Sequence, residues 1–140
     1  MESKTKILYI EDNPENVQLV RRILEAKGYL VVEANNGLAG VEAARRERPD
    51  LILMDINLPD MDAYAAATLV KNSKELSRIP IVALTANVMK GDRERTLAAG
   101  CDGYISKPID VKKFSDKILS FLDGRKEKVG EQCHWTLRFQ

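Results

Sequence analysis

Cysteine, histidine and tryptophan are scarce in this sequence, and long apolar runs are missing. The two cysteines, Cys101 and Cys133, have no metal-ligand spacing and make a poor disulfide framework for a chain of 140 residues. Near the N-terminus only four apolar residues, Ile7 to Ile10, precede Glu11. A signal peptide needs a longer stretch, and a membrane span needs about 20 residues. These absences predict a cytoplasmic protein without a membrane segment.

A charge bias is also missing. Lysine and arginine number 22, aspartate and glutamate 21, and the formal net charge is +1. Nucleic acids and anionic membranes are bound by concentrated basic charge, so neither is an expected partner. The length suits one domain with a sizeable core. After Leu122 only 18 residues remain, too few for a helix-turn-helix output.

Short apolar runs alternate along the chain with longer segments of helical period. The runs are nearly continuous rather than alternating, which is typical of strands buried on both faces. They cover Lys6–Ile10, Leu30–Ala34, Leu51–Met54, Pro80–Leu84 and Tyr104–Ser106. Five strands that alternate with helices predict one parallel sheet with helices on both faces.

The intervening segments carry signals for helix starts and ends. Asn13 and Pro14 provide an N-cap and a proline at the first helical position, and Gly28 provides a stop. Later helices are predicted over Leu38–Arg46, Ala65–Leu76, Val88–Ala99 and, after the cap Asp110, through Val111, Phe114, Ile118 and Phe121. The pattern fails from about Gly124, so we expect a domain over residues 1–123 and a tail, linker or extension over 124–140.

Polar residues cluster where four of the predicted strands end. Glu11 and Asp12 follow the first strand, Asp55 the third, Thr85 the fourth and Lys107 the fifth. In an open parallel sheet, ligands bind beyond the carboxyl ends of the strands, so these residues are expected to share one pocket. Clustered carboxylates repel each other, and their pKa values would rise unless a cation compensates.

This set of groups suits phosphoryl transfer to a carboxylate. Ligands that are all oxygen favour a hard ion, above all Mg2+. Asp55 could act as the nucleophile, while the cation, Lys107 and Thr85 neutralise the phosphoryl oxygens. Taken singly, each residue has a simpler explanation as a cap, a turn residue or a solvated charge. Their coincidence at successive strand ends favours the common site.

Four motifs, in combination and in order, resemble the response-regulator receiver domains of the CheY-like superfamily. They are Leu8–Asp12 with Asn13, Pro14 and Asn16; Leu53–Asp62; Ala83–Ala86; and Lys107-Pro108. The resemblance extends over about Lys6 to Leu122 and implies a flavodoxin-like (βα)5 doubly wound sheet with strand order 2-1-3-4-5. The motifs are similar both to hybrid-kinase receivers and to single-domain regulators of the DivK or CheY kind. Because the chain opens on the domain with Met1, we expect a stand-alone regulator.

The resemblance also implies which residues bind the metal and accept the phosphoryl group. Asp55 matches the phosphoacceptor. Asp12, Asp55 and the backbone carbonyl of Asn57 match the Mg2+ ligands, and Glu11 is expected to assist. The phosphoryl donor is expected to be a phosphohistidine of a histidine kinase or phosphotransfer protein, because the only histidine here is His134 in the tail and no ATP-binding motif is present.

Further positions match the switching parts of the family. Thr85 and Lys107 match the groups that contact the phosphoryl oxygens, and Tyr104 matches an aromatic switch. The bond between Lys107 and Pro108 is a candidate cis peptide. The implied output surface consists of the fourth helix, fifth strand and fifth helix (α4-β5-α5 of the family fold), and it would bind a downstream protein. One departure is Ala63, because the family usually has glycine there, which leaves the local shape of the third loop open.

Two alternatives remain at this point. The first is a docking module with the same fold that acts independently of phosphorylation. The second is a phosphohydrolase with an aspartyl nucleophile, although such enzymes carry it after the first strand and have a cap domain. The leading hypothesis is a phosphoacceptor switch rather than an enzyme, one that promotes its own phosphoryl transfer and dephosphorylation.

Overall fold

Five parallel strands form a single sheet. The computed structural model describes residues 5–56, 58, 60, 63–85, 100–106 and 109–130. The strands are β1 (Lys6–Ile10), β2 (Leu30–Ala34), β3 (Leu51–Asp55), β4 (Ile81–Thr85) and β5 (Gly103–Ser106). Their order in the sheet is β2-β1-β3-β4-β5 and every neighbouring pair is parallel. The predicted doubly wound topology is confirmed.

Four helices lie in the described part of the chain. They are α1 (Pro14–Ala26), α2 (Gly37–Glu47), α3 (Ala63–Asn72) and α4 (Val111–Gly130). The predicted helix Val88–Ala99 lies outside the described residues, so the label α4 here belongs to the final helix. Each helix in the described part of the chain thus lies in a segment where the sequence pattern predicts one, and one helix, α3, ends earlier than predicted.

That difference concerns the end of α3. The sequence predicts a helix as far as Leu76, whereas α3 ends at Asn72 and a turn follows. In this turn the amide of Ser73 donates to the Val70 carbonyl at 3.1 Å, and the amide of Leu76 donates to the Ser73 carbonyl at 3.1 Å. Leu76 is nevertheless fully buried. A residue in a turn can be buried as completely as one in a helix. The apolar spacing therefore predicted a helix that continues too far.

Local signals determine the bounds of α1. The Asn13 side chain accepts a hydrogen bond from the amide of Glu15 at 2.9 Å, and Pro14 occupies the first helical position, as predicted. After the helix, Gly28 has a φ of 88°, a left-handed conformation that favours glycine. These signals fix where the chain leaves β1 and returns to β2.

The two faces of the sheet are packed differently. Against α2 and α3 the core contains many small side chains, among them Ala43, Ala44 and Ala66. A Cβ atom added to Gly40 would lie only 2.4 Å from Ile10 Cδ1, so α2 packs closely on β1. Against α1 and α4 the core is built from large side chains. These include Tyr9, Leu24, Leu53, Phe114, Ile118 and Phe121.

The final helix, α4, extends beyond residue 123, where the sequence predicts that the domain ends. Its backbone continues to Gly130, beyond residue 123. The division into a domain over 1–123 and a tail over 124–140 therefore stays a prediction, and Cys133 and His134 lie outside the described residues. In the described part of the chain, no helix has both the length and the apolar character needed to span a membrane.

Candidate functional site

Two buried carboxylates lie beside each other at the carboxyl edge of the sheet. In the parallel pairing of β1 with β3, Ile10 is opposite Met54, so the next residues, Glu11 and Asp55, are neighbours. Side chains alternate along a strand, and Tyr9 and Leu53 both belong to the core on the α1 and α4 side. Two residues further on, Glu11 and Asp55 point to that same side. They are only 2% and 3% exposed.

Several donors hold the carboxylate of Glu11. The hydroxyl of Tyr9 donates to Oε1 at 3.0 Å, and the backbone amide of Asn13 donates to Oε2 at 3.2 Å. The side-chain amide of Asn16 also donates to Oε1, at 3.4 Å. Donors from β1, from the N-cap residue Asn13 and from α1 therefore hold the Glu11 carboxylate in one orientation.

The charge of both carboxylates reaches the buried phenol below them. The pKa of Tyr9 is raised well above its usual range, first by burial, next by the charge of Glu11 and its hydrogen bond, and finally by the charge of Asp55. Each of these causes disfavours the negatively charged phenolate form of Tyr9. Glu11 and Asp55 therefore create a negative potential at one point of the edge.

Asp12 does not share this burial. Its side chain is exposed, and with Glu11 it lines an open cavity of about 620 Å³ between α1 and the end of β2. In the described part of the chain, no three histidine, cysteine, aspartate or glutamate side chains are placed so that they could hold a metal ion. The structure thus brings together Glu11 and Asp55 and leaves Asp12 at the surface.

The remaining predicted site residues are described in part. Thr85 ends β4, where its backbone is paired with Ser106 of β5, and its hydroxyl lies outside the described part. Lys107, which follows Ser106, lies outside the described residues together with Asn57 and Pro108. Their predicted contacts, and the predicted cis bond, stay predictions.

Tyr104 and Ala63 are the other two positions that the sequence singled out. Tyr104 lies in β5, is half-buried against the core on the α2 and α3 side, and has the ammonium of Lys117 5.8 Å from its ring centroid. Ala63 is the first residue of α3. Among the described residues other than glycine, only Arg48 has a positive φ, so alanine at position 63 carries no left-handed strain.

A contact that sequence reasoning missed ties the third loop to α2. Asp60 accepts hydrogen bonds from the amides of Gly37 at 2.7 Å and Leu38 at 3.0 Å. The position of Asp60 in the sequence gives no signal for a partner 23 residues away. The carboxylate satisfies free amides at the start of α2 and favours the positive end of the helix dipole.

A second contact joins α3 to the last two strands. Asp102 accepts from the amide of Ile81 at 2.8 Å and from the ammonium of Lys71 at 3.0 Å. The neighbouring Cys101 is buried, and burial, with the charge of Asp102, raises the pKa of its thiol to about 12. Cys101 therefore stays protonated at neutral pH.

The sequence of this chain is similar to those of known proteins. The sequence pattern of the response regulator receiver domain matches residues 7–119. The polar-differentiation response regulator DivK of Brucella anthropi is 46% identical over 116 residues, which make up 83% of this chain and 94% of that protein. DivK of Brucella ovis is 44% identical with the same coverage.

Solved structures show the same likeness. The receiver domain of a sensor histidine kinase from Pseudomonas aeruginosa, described with a magnesium ion coordinated in its active site cleft, is 36% identical with a TM-score of 0.81. The alignment covers 86% of this chain and 99% of that one. A CheY-like receiver domain protein from Methanospirillum hungatei is 27% identical with a TM-score of 0.84, covering 90% and 99%.

The doubly wound sheet with an acidic carboxyl edge, together with these matches, places the chain in the class of two-component signalling domains. Within that class, this chain belongs to the response regulator receiver domain family. Proteins of this family are phosphoacceptor switches rather than conventional enzymes, and they interact with histidine kinases and downstream targets. The resemblance that the sequence motifs indicated is confirmed.

Proposed function

We propose that this protein accepts a phosphoryl group on Asp55 from a phosphohistidine of a histidine kinase or phosphotransfer protein, in a reaction that requires Mg2+. The observation that carries the proposal is the buried pair of Glu11 and Asp55 at the carboxyl edge of the sheet. Two carboxylates buried side by side at the edge where doubly wound sheets bind their ligands support a functional use of this edge. The phosphorylation-independent docking module does not account for these two charges.

The donor chemistry of the edge fits a divalent cation. The proposed ligands are the carboxylates of Asp12 and Asp55 and the backbone carbonyl of Asn57, with Glu11 assisting. They are all oxygen donors, which Mg2+ prefers over softer metals. The adjacent carboxylates of Glu11 and Asp55, both buried at this edge, support a cation at the same place. Mg2+ would neutralise charge on the phosphoryl oxygens.

The protein groups have distinct parts in the proposed transfer. A carboxylate oxygen of Asp55 forms a bond to phosphorus while the bond from the histidine nitrogen to phosphorus breaks, and the imidazole leaves with the electron pair. Thr85 and Lys107 would contact the phosphoryl oxygens and stabilise the charge that develops on them. Attack by water on the same phosphorus would later break the bond to the Asp55 oxygen, release inorganic phosphate and regenerate the carboxylate. In this proposal the domain also promotes its own dephosphorylation.

The phosphoryl group would act as a switch. It adds about 1.5 to 2 negative charges at neutral pH. Thr85 and Lys107 would turn toward the new oxygens, and Tyr104 would move inward, which shifts a two-state equilibrium of the domain. The surface formed by the predicted helix Val88–Ala99, β5 and α4 would then bind a downstream protein. Cytoplasmic location and a separate role for residues 124–140 belong to the same proposal.

Labelling with acetyl phosphate tests the acceptor. We expect radiolabel from acetyl phosphate to appear on the wild-type protein when Mg2+ is present and to be lost when the metal is chelated. Asp55→Asn should abolish labelling, because the amide cannot act as the nucleophile. Asp116→Asn is the matched control, since Asp116 is an exposed aspartate of α4. Labelling of Asp55→Asn at the wild-type rate would refute the assignment.

A further inference from the structure

A fully buried tyrosine lies directly below the acidic edge. Tyr9 is among the largest side chains of the protein with no exposed surface, and its ring packs with Leu53 and Phe114 in the apolar core. A hydroxyl in such surroundings opposes folding unless it is hydrogen-bonded. Phenylalanine would fill nearly the same space without that requirement. The core alone therefore does not explain why tyrosine stands here.

The hydroxyl of Tyr9 is used at the site. It donates to Oε1 of Glu11 at 3.0 Å. Glu11 directly follows β1 and points to the same side of the sheet as Tyr9. The amide of Asn13 holds the other oxygen, Oε2, at 3.2 Å. The carboxylate is thus held at both oxygens by donors from fixed positions, one on the strand and one in the backbone. A ring that is locked by packing gives its donor a defined direction.

Tyr9 makes a shorter contact to Oε1 than the side-chain amide of Asn16 does. The side-chain amide of Asn16 is 3.4 Å from Oε1, which is near the limit of a hydrogen bond, and it extends from α1. Glu11 has three rotatable side-chain bonds, so it needs more than one well-placed donor to keep a single orientation. Tyr9 supplies the shorter contact to Oε1.

We infer that Tyr9 is a positioning residue of the proposed magnesium site, whose hydroxyl holds Glu11 beside Asp55 in the orientation that the cation requires. The inference rests on the proposed function and goes further, since it assigns a supporting role to a strand residue within the core. Removing a group that is hydrogen-bonded to a metal-binding side chain commonly weakens metal binding.

The test measures binding of Mg2+ alone by isothermal titration calorimetry, without any phosphoryl donor. Tyr9→Phe keeps the ring and removes the hydroxyl, and we expect Mg2+ to bind about 10-fold more weakly. Tyr29→Phe is the matched control, because Tyr29 packs against the same core but lies where β2 begins, at the opposite edge. It should bind Mg2+ as the wild type does. Equal affinity in wild type and Tyr9→Phe would overturn the inference.

A double-mutant cycle separates positioning from general packing. Asp12, Asp55 and Asn57 remain in Glu11→Ala, so Mg2+ binding stays measurable. If Tyr9 acts through Glu11, adding Tyr9→Phe to Glu11→Ala should leave the affinity unchanged. A further loss equal to that in the wild-type background would mean that Tyr9 acts elsewhere, and the inference would be wrong.

The same data distinguish the inference from the proposed function. Mg2+ binding by the wild type with no effect of Tyr9→Phe removes only the role of Tyr9. No Mg2+ binding by the wild type removes the proposed metal requirement, and the role of Tyr9 with it.

Discussion

The two edges of the sheet treat their carboxylates in opposite ways. Where the strands begin, Glu47 and Asp50 lie near the surface and both contact Lys6, Glu47 through the ammonium at 3.1 Å and Asp50 through the backbone amide at 2.8 Å. Where the strands end, Glu11 and Asp55 are almost completely buried and adjacent. The same residue types are therefore used in a solvated arrangement at one edge and in a desolvated one at the other.

The difference indicates which edge is functional. A partly exposed ion pair contributes little to folding and is screened by salt, so it can be lost without much effect. Two neighbouring buried carboxylates are instead typical of an edge where a cation is bound or a reaction takes place. The edge with Glu11 and Asp55 is thus the one where substitutions should change binding, whereas substitutions at the other edge should change stability alone.

The largest expected effect is on the response of stability to Mg2+. Because the folded site binds the cation and the unfolded chain does not, Mg2+ at 100 times its dissociation constant should stabilise the wild type by about 2.7 kcal/mol. Asp55→Asn should lose most of this response. Thermal melting in Mg2+ and in chelator measures it. Asp50→Asn at the opposite edge should melt lower in both buffers but keep the full response; loss of the response there would contradict the contrast between the edges.

An intermediate effect is expected at Asp60, which lies close to the functional edge but caps a helix. Asp60→Ala leaves the amides of Gly37 and Leu38 without their carboxylate partner. We expect a loss of about 1 kcal/mol in the free energy of unfolding, as for other helix caps. Urea unfolding measures it. Asp60→Asn retains one acceptor oxygen and should lose less, and an equal loss in both variants would argue against capping.

The smallest effect is expected at Glu47. The hydrogen bonds of Lys6 and Arg46 and the charge of Lys6 lower the pKa of this carboxyl below its ordinary value of 4.5. A carboxyl with a lowered pKa in the folded state stabilises the fold above pH 4.5, and the contribution is lost as the pH falls through the lowered pKa. Unfolding of wild type and Glu47→Gln should therefore differ slightly at pH 7 and converge in acid. A difference that grows in acid would reverse the assignment.

Much of the fold follows from short-range patterns. The strands Lys6–Ile10 and Leu30–Ala34 have the bounds that the sequence predicts. In the first of them, the buried apolar run ends directly at the polar Glu11. The start of α1 is predicted by the N-cap residue Asn13 and by Pro14 at the first helical position. The end of α3 was predicted wrongly, since the apolar period continues to Leu76 although the chain has already turned.

The candidate site was predictable to a smaller degree. The proximity of Glu11 and Asp55 follows from the topology, because Glu11 directly follows β1 and Asp55 ends the neighbouring parallel strand β3. The surface position of Asp12 does not, since sequence adjacency to Glu11 says nothing about which side chain turns inward. The roles of Tyr9 and Asp60 also escaped prediction, because a strand tyrosine counts as core and a loop aspartate counts as a turn until their partners are known.

The pairing of β1 with β3 has a consequence for how the protein folds. Glu11 and Asp55 are distant in the chain, and only the completed crossover through α1, β2 and α2 brings them together. Contacts between distant segments form late and slowly compared with local turns. An unfolded or half-assembled chain thus has no acidic edge at all. If Asp55 is the acceptor, the extent of its labelling reports the fraction of molecules whose central strands have already joined.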